Sequence, residues 1–328
     1  MTLALAFVLL ACGQNNNRQN SYQDNGNQND IIQTDKKISI VCTVFPQYDW
    51  VRQILGHQVE NVELTLLQSS KADLHNFQPS VKDIIGVSTC DLFIYIGGES
   101  DKWADDAIKE AVNQNMISIN LLDTLGANIK EEELIEGMEE GDDGHDDGEP
   151  DYDEHVWLSL KNAKVFCIAI TNALSTLDAD NAGEYRNNLN TYTTKLSALD
   201  EQYQAAVNNS SGNTLLFADR FPFRYLMDDY NLDYYAAFSG CHAETEASFK
   251  TIIFLANKVD ELNLNNVIVT ESSDQSIAKT IISNTRYKNQ RILVMDAMQS
   301  LTSDDVSGGT TYLSIMEGNL NTLKEALK

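Results

Sequence analysis

One stretch limits the architecture more than any other. Ala182, Tyr185, Leu189, Tyr192, Leu196, Leu199, Tyr203 and Ala206 step by three and four residues. That spacing puts them on one helix face as a continuous apolar stripe about seven turns long. No Pro interrupts it. Asp178 or Asp180 stands where a side-chain cap could open the helix. At about 1.5 Å per residue the helix is roughly 40 Å long, enough to serve as a stiff spine.

The sequence on either side of this stripe repeats one theme. Apolar, β-rich runs at Ile38–Val44, Val62–Leu67, Asp91–Ile96 and Met116–Ile119 alternate with helical patterns near 49–56, 79–87 and 101–113. The second half does the same, with runs at Thr214–Ala218, Asp233–Phe238, Asn266–Thr270 and Arg291–Met295 and helices near 221–230, 245–263, 275–285 and 310–327. Strand–helix alternation at this spacing predicts parallel βαβ units. The expected organisation is an N-terminal α/β lobe over 38–178, a linker helix over 179–208 and a C-terminal α/β lobe over 209–328. Ligands of open parallel sheets bind beyond the carboxyl ends of the strands, so the residues just after each strand carry the functional expectation.

Before the first lobe, residues 3–11 form one apolar run, too short for a spanning helix. It ends in Leu9-Leu10-Ala11-Cys12, and this resembles a bacterial lipobox, whose Cys becomes the lipidated first residue. The positive residues expected ahead of such a run are missing. Residues 13–37 hold seven Asn and five Gln with almost no apolar side chains, a composition that predicts a disordered tether. Cys42, Cys90, Cys167 and Cys241 sit in or at the end of apolar runs without CxxC spacing. They read as buried thiols, with a Cys42–Cys241 bridge left open.

Charge narrows the partners. The chain carries 49 Asp and Glu against 23 Lys and Arg, a formal net charge of −26. No basic face is available for a phosphate backbone, and an anionic membrane surface is disfavoured as a direct partner of the folded part. The acidity is concentrated: residues 131–154 hold 14 Asp and Glu and no Lys or Arg. That acidic loop runs straight into His155. Weak cation gathering and a plain solvated insertion are both consistent with it.

Three of only five His, together with one Asp, fall in turns expected to face one cleft. His75 lies in Asp73-Leu74-His75-Asn76, followed by Ser80 and Asp83, which read as a capping box. His155 lies in Asp153-Glu154-His155-Val156-Trp157, His242 in Gly240-Cys241-His242-Ala243-Glu244, and Asp296 follows the eighth run. Neutral imidazole nitrogen and carboxylate oxygen suit zinc and, in part, manganese. HExxH, G-x-S-x-G, P-loop and GxGxxG motifs are absent, so an enzyme is not the expected class.

The motifs taken together resemble the cluster A-I substrate-binding lipoproteins of bacterial ABC importers for zinc and manganese. The matching segments are Phe45–Trp50, His75 to Ser80, Asp91–Tyr95, His155–Ser159, Phe223–Leu226, Glu244–Ser248, Thr311–Leu313 and Asn319-Leu320, and the likeness covers about 38–328. It implies two Rossmann-like α/β lobes with parallel sheets joined by a rigid helix, and a metal held between the lobes by four protein ligands. The first two match His75 and His155 and the fourth matches Asp296. The third family ligand aligns with Arg220, which cannot ligate a metal. His242 is the favoured replacement, followed by Glu244 and then Asp219. Arg220 is expected to pair with Glu271, a non-ligating family position. The function implied is capture of Zn2+, with Mn2+ as the alternative, outside the membrane and delivery to an ABC permease and its ATPase by a monomeric, lipid-anchored protein. A surface adhesin of the same fold is the competing reading.

Overall fold

The computed structural model describes residues 37–68, 74–138, 151–240 and 247–328. The lipidation expected at Cys12, the tether apart from Lys37, half of the acidic loop (139–150), Cys241, His242 and Glu244 lie outside the described residues.

Eight described strands form two parallel four-stranded sheets. In the first lobe β1 (Ile38–Cys42), β2 (Val62–Leu66), β3 (Leu92–Tyr95) and β4 (Ile117–Asn120) lie in the order β2-β1-β3-β4. In the second, β5 (Thr214–Phe221), β6 (Asp233–Ser239), β7 (Asn266–Thr270) and β8 (Arg291–Met295) lie in the order β6-β5-β7-β8. The two orders are the same, and in each the direction of winding reverses beside the first strand. Every residue of β3 and of β7 is buried, as expected of strands covered on both faces. All eight strands fall where the hydrophobic runs predict them. The main difference is β5, which continues to Phe221 past an irregularity between Phe217 and Arg220. Arg220 therefore lies inside a strand, opposite Phe238, and not in the turn after one.

Eleven described α-helices accompany these sheets. In the first lobe they are α1 (Phe45–Leu55), α2 (Val81–Thr89), α3 (Lys102–Lys109) and α4 (Leu121–Leu125). Next come α5 (Leu160–Leu177) and α6 (Ala182–Asn208). The second lobe adds α7 (Arg224–Tyr230), α8 (Phe249–Glu261), α9 (Ser276–Asn284), α10 (Ser303–Ser307) and α11 (Tyr312–Ala326). The capping box of α2 forms as its sequence predicts: Ser80 Oγ accepts from Asp83 N, and Asp83 accepts from Ser80 N. None of the described helices is long and apolar enough to cross a membrane.

The spine is α6. Tyr185, Tyr192, Leu196, Leu199 and Tyr203 of its stripe are buried, and it packs against α1 and α5 on one side and α7 and α11 on the other. Its cap differs from expectation. Asn181 holds the N-cap position, while Asp178 accepts hydrogen bonds from Asn181 and from the Tyr185 hydroxyl at 2.6 Å. The helix α11 crosses back from the second lobe to close the join. Tyr312 N donates to Asp49 Oδ2 at 3.0 Å, the Tyr312 hydroxyl donates to Trp157 O at 2.7 Å, and its ring meets Trp50 edge-on. Tyr203 donates to Met316 O at 2.6 Å. One apolar cluster accordingly runs without a break from Ile40 and Trp50 through Tyr203 to Leu323. Cys42, Cys90 and Cys167 are buried, in keeping with the sequence.

Candidate metal centre

His155 sits on a buried turn between the acidic segment and α5. Ser159 caps α5 by accepting from Asn162 N, which fixes where the turn ends. Its other end is pinned to the second lobe: Tyr225 Oη donates to Asp153 O at 3.1 Å and accepts from Lys130 N at 3.0 Å. The His155 side chain has no exposed surface. Its Nδ1 lies 3.0 Å from Asp153 Oδ1, which also accepts from His155 N at 2.8 Å. A carboxylate can only accept, so it places the ring proton on Nδ1 and leaves the Nε2 lone pair pointing the other way. Burial pushes the imidazole pKa down, but Asp153, with Glu154 and Glu132 beyond it, outweighs burial and holds it above its ordinary value.

His75 occupies a single turn, Leu74–Asn76, beyond β2. Its side chain is 12% exposed. Its ring centroid is 5.5 Å from that of His155, edge to face, so the structure brings the first two expected ligands together. His75 Nδ1 is 2.9 Å from Ser100 Oγ and 3.8 Å from Glu154 Oε2. Ser100 follows Gly97 and Gly98, both at positive φ, in the turn after β3. A Cβ on Gly98 would come within 2.4 Å of Glu154 Oε1, so only glycine admits that carboxylate here. Burial pushes the Glu154 carboxyl up to about 7, against the pull of the Ser100 hydrogen bonds.

Asp296 follows β8 directly, and its backbone is clamped from α11. Asn319 Oδ1 accepts from Asp296 N and Asn319 Nδ2 donates to Asp296 O, both at 2.8 Å. The Asp296 carboxylate accepts from Met298 N at 2.7 Å, at a residue with φ of 62°. Glu271, just after β7, accepts from Ala297 N, Gln299 N and Ser300 Oγ. Burial and the neighbouring Glu271 carboxylate push the Asp296 carboxyl up to about 7. Trp157 Nε1 ties the same loop to the first lobe through Ala297 O at 2.9 Å.

The loop delivers a residue that the sequence reading missed. Gln299 Nε2 lies 2.6 Å from His155 Nε2, the lone pair a metal would use. A Gln three positions after Asp296 has no signature that separates it from any polar turn residue. Ser100 and Glu154 were missed for the same reason.

The third ligand is where sequence and structure part. The Asp219 carboxylate accepts from Arg220 N, Thr270 N and Thr270 Oγ1, which joins β5 to β7. It is a sheet fastener, and its role as third choice is thereby weakened. The carboxylate of Glu271, expected to partner Arg220, is instead taken up by the loop 297–300. Gly240 at the end of β6 stands against His155: a Cβ there would lie 3.0 Å from His155 Cε1. His242 is two residues further on. Among the described residues no three His, Cys, Asp or Glu side chains converge closely enough to hold a metal ion.

Comparison with known proteins places this geometry. The chain is 28% identical over 297 residues to the zinc-binding lipoprotein AdcA of Streptococcus pneumoniae, covering 89% of this chain and 56% of that protein. It thus spans little more than half of that relative's length. It is 26% identical over 329 residues to the high-affinity zinc uptake system protein ZnuA of Bacillus subtilis, covering 99% of this chain and 96% of that protein. The crystal structure of the metal-dependent lipoprotein YcdH from Bacillus subtilis matches with a TM-score of 0.72 at 25% identity, over 89% of this chain and 99% of that one. The family described as zinc-uptake complex component A, periplasmic, matches residues 40–326. With nearly the whole described chain inside that match, the chain belongs to the zinc-uptake component A family.

Proposed function

We propose that this chain is the extracytoplasmic metal-binding component of an ABC importer, capturing Zn2+ between its lobes and passing it to a membrane permease driven by an ATPase. The observation that carries this reading is the His75–His155 pair, with ring centroids 5.5 Å apart and each Nδ1 engaged by an oxygen. Asp153 holds the His155 proton on Nδ1 and so keeps its Nε2 lone pair for an ion.

Asp296 and His242 complete a His₃Asp set, with Glu244 as the alternative third donor. His242 follows Gly240 by two residues in the sequence, and Gly240 itself stands against His155. Three imidazoles and one carboxylate favour zinc over manganese, which prefers more oxygen. Gln299 covers the His155 lone pair and turns aside as the ion enters. Cys12 provides the lipid anchor, and the protein acts as a monomer. The acidic loop before His155 raises the local cation concentration.

Zinc titration of the protein by calorimetry, with a competing chelator, tests this reading. One tight site per chain is expected, weakened at least tenfold in His155→Ala and in His242→Ala. Wild-type affinity in His155→Ala would exclude the site. Wild-type affinity in His242→Ala, with a loss in Glu244→Ala, would move the third donor to Glu244.

A further inference from the structure

The two halves of the chain repeat a short motif that the metal centre does not use. Ser80-Val81-Lys82-Asp83-Ile84-Ile85 opens α2, and Ser248-Phe249-Lys250-Thr251-Ile252-Ile253 opens α8. The two helices are topological equivalents. Helix α2 leaves β2 and α8 leaves β6, the edge strands beside the first strand of sheets with the same order. In both, the serine caps the helix by accepting from the N–H three residues on. In both, one face is anchored inside its lobe, through Val87 in α2 and Leu255 in α8. The first helical residue does the opposite: Val81 is 78% exposed and Phe249 is 76% exposed. The lysine that follows each of them is exposed too.

Neither residue type serves the helix that carries it. A large apolar side chain left in water contributes nothing to folding, and a cation in the first turn opposes the helix dipole. Both occur twice, at equivalent places, on a chain whose net charge is −26. Both places lie at the carboxyl ends of parallel strands, the face on which such sheets bind ligands. Helix α2 follows the His75 turn, and α8 follows β6, beyond whose end Gly240 stands against His155. We propose that Val81-Lys82 and Phe249-Lys250 are the two anchors of one docking surface, one on each lobe, and that its occupant is the membrane permease of the importer. The chemistry of that partner follows from the anchors. Each apolar side chain fills a socket, and each lysine pairs with a carboxylate at the socket's border. A motif presented twice fits a partner that repeats its own surface, as a two-fold pair of subunits does. Two lysines cannot hold a chain this acidic on an anionic lipid surface, so the partner is protein. This inference rests on the importer reading.

The test follows uptake of radioactive zinc, at limiting zinc, by cells in which the full chain is replaced by the double variant Val81→Ser/Phe249→Ser. Calorimetric zinc affinity and urea unfolding of the same purified variant run beside it. Uptake is expected to fall about tenfold or more, as loss of interface anchors does. Zinc affinity and the unfolding midpoint should stay at wild-type values, because both side chains stand in solvent. A second double variant, Lys82→Glu/Lys250→Glu, leaves the apolar anchors in place and replaces a charge that the helix dipole disfavours. It should impair uptake without lowering stability, which covers the case that the first variant disturbs packing. Wild-type uptake in both double variants would overturn the docking surface. So would sedimentation in which the wild type dimerises and Val81→Ser/Phe249→Ser does not, since the anchors would then belong to a second copy of this chain. Normal zinc uptake in cells lacking the chain altogether would instead overturn the importer reading, and the surface with it.

Discussion

A buried carboxylate can serve a fold or a site, and its partners show which. Asp101 serves the fold: it accepts from Ile96 N at 2.7 Å and ties down the turn after β3. Burial pushes its carboxyl from 3.8 to about 6 despite that hydrogen bond. The folded state therefore holds the proton more tightly than the unfolded chain does. Its contribution to stability is full below about pH 4 and is lost as pH rises through about 6. Relative to wild type, Asp101→Asn should gain about 3 kcal/mol between pH 4 and pH 7, on top of a constant offset, in denaturant unfolding followed across that range. A difference independent of pH would contradict the assignment. Asp153 serves the site, and Asp153→Ala should lower zinc affinity about 10- to 100-fold by freeing the His155 tautomer. At this scale the sequence is legible only in part. His75 and Asp296 stand out because polar ligand types follow apolar runs, and His155 because it ends the acidic segment. Gln299 and Ser100 do not, because their roles depend on backbone that folds back from elsewhere in the chain. Arg220 misleads because the irregularity in β5, invisible in the pattern, extends that strand past it.

Among the elements, the strands were legible because short apolar runs between helical patterns leave few other assignments. The helix α5 was not singled out, although Leu160, Ala163, Phe166, Cys167, Ile170 and Leu174 carry the same spacing as the α6 stripe. Its outward face holds Val165 and Ile168 as well, so its apolar residues surround the helix and blur the periodicity. The elements meet at Trp157, which follows the His155 turn and donates to the loop carrying Asp296. Trp157→Phe keeps most of the packing but leaves the Ala297 carbonyl short of a partner. Urea unfolding should show a loss of about 1–3 kcal/mol. Zinc affinity should fall too, because the same bond sets the position of the Asp296 loop against His155. A stability loss with unchanged affinity would mean that the loop is placed by Glu271 and Asn319 alone.

For the molecule as a whole, the uneven charge is the property to test. Met138 packs on the core, so the acidic insertion can be removed from 139 to 150 without disturbing it. Stopped-flow zinc capture by that deletion variant should be slower than wild type at low ionic strength and converge with it near 0.5 M salt, where exposed charges are screened beyond about 4 Å. Equilibrium affinity should stay near wild type. A large equilibrium loss would place a ligand inside the loop.

The return of α11 across the join has a consequence for how the protein melts. Tyr312 belongs to the second lobe by sequence, yet its backbone, hydroxyl and ring are all spent on Asp49, Trp157 and Trp50 of the first. The largest apolar cluster is shared by both sheets, each of which has only a smaller one of its own, so neither retains a complete core when the other unfolds. Scanning calorimetry should therefore record one cooperative transition, with calorimetric and van't Hoff enthalpies in agreement. Cutting the chain after α6 should yield fragments that recover native signal only when mixed. Two lobes by topology would then be a single thermodynamic unit whose halves remain joined.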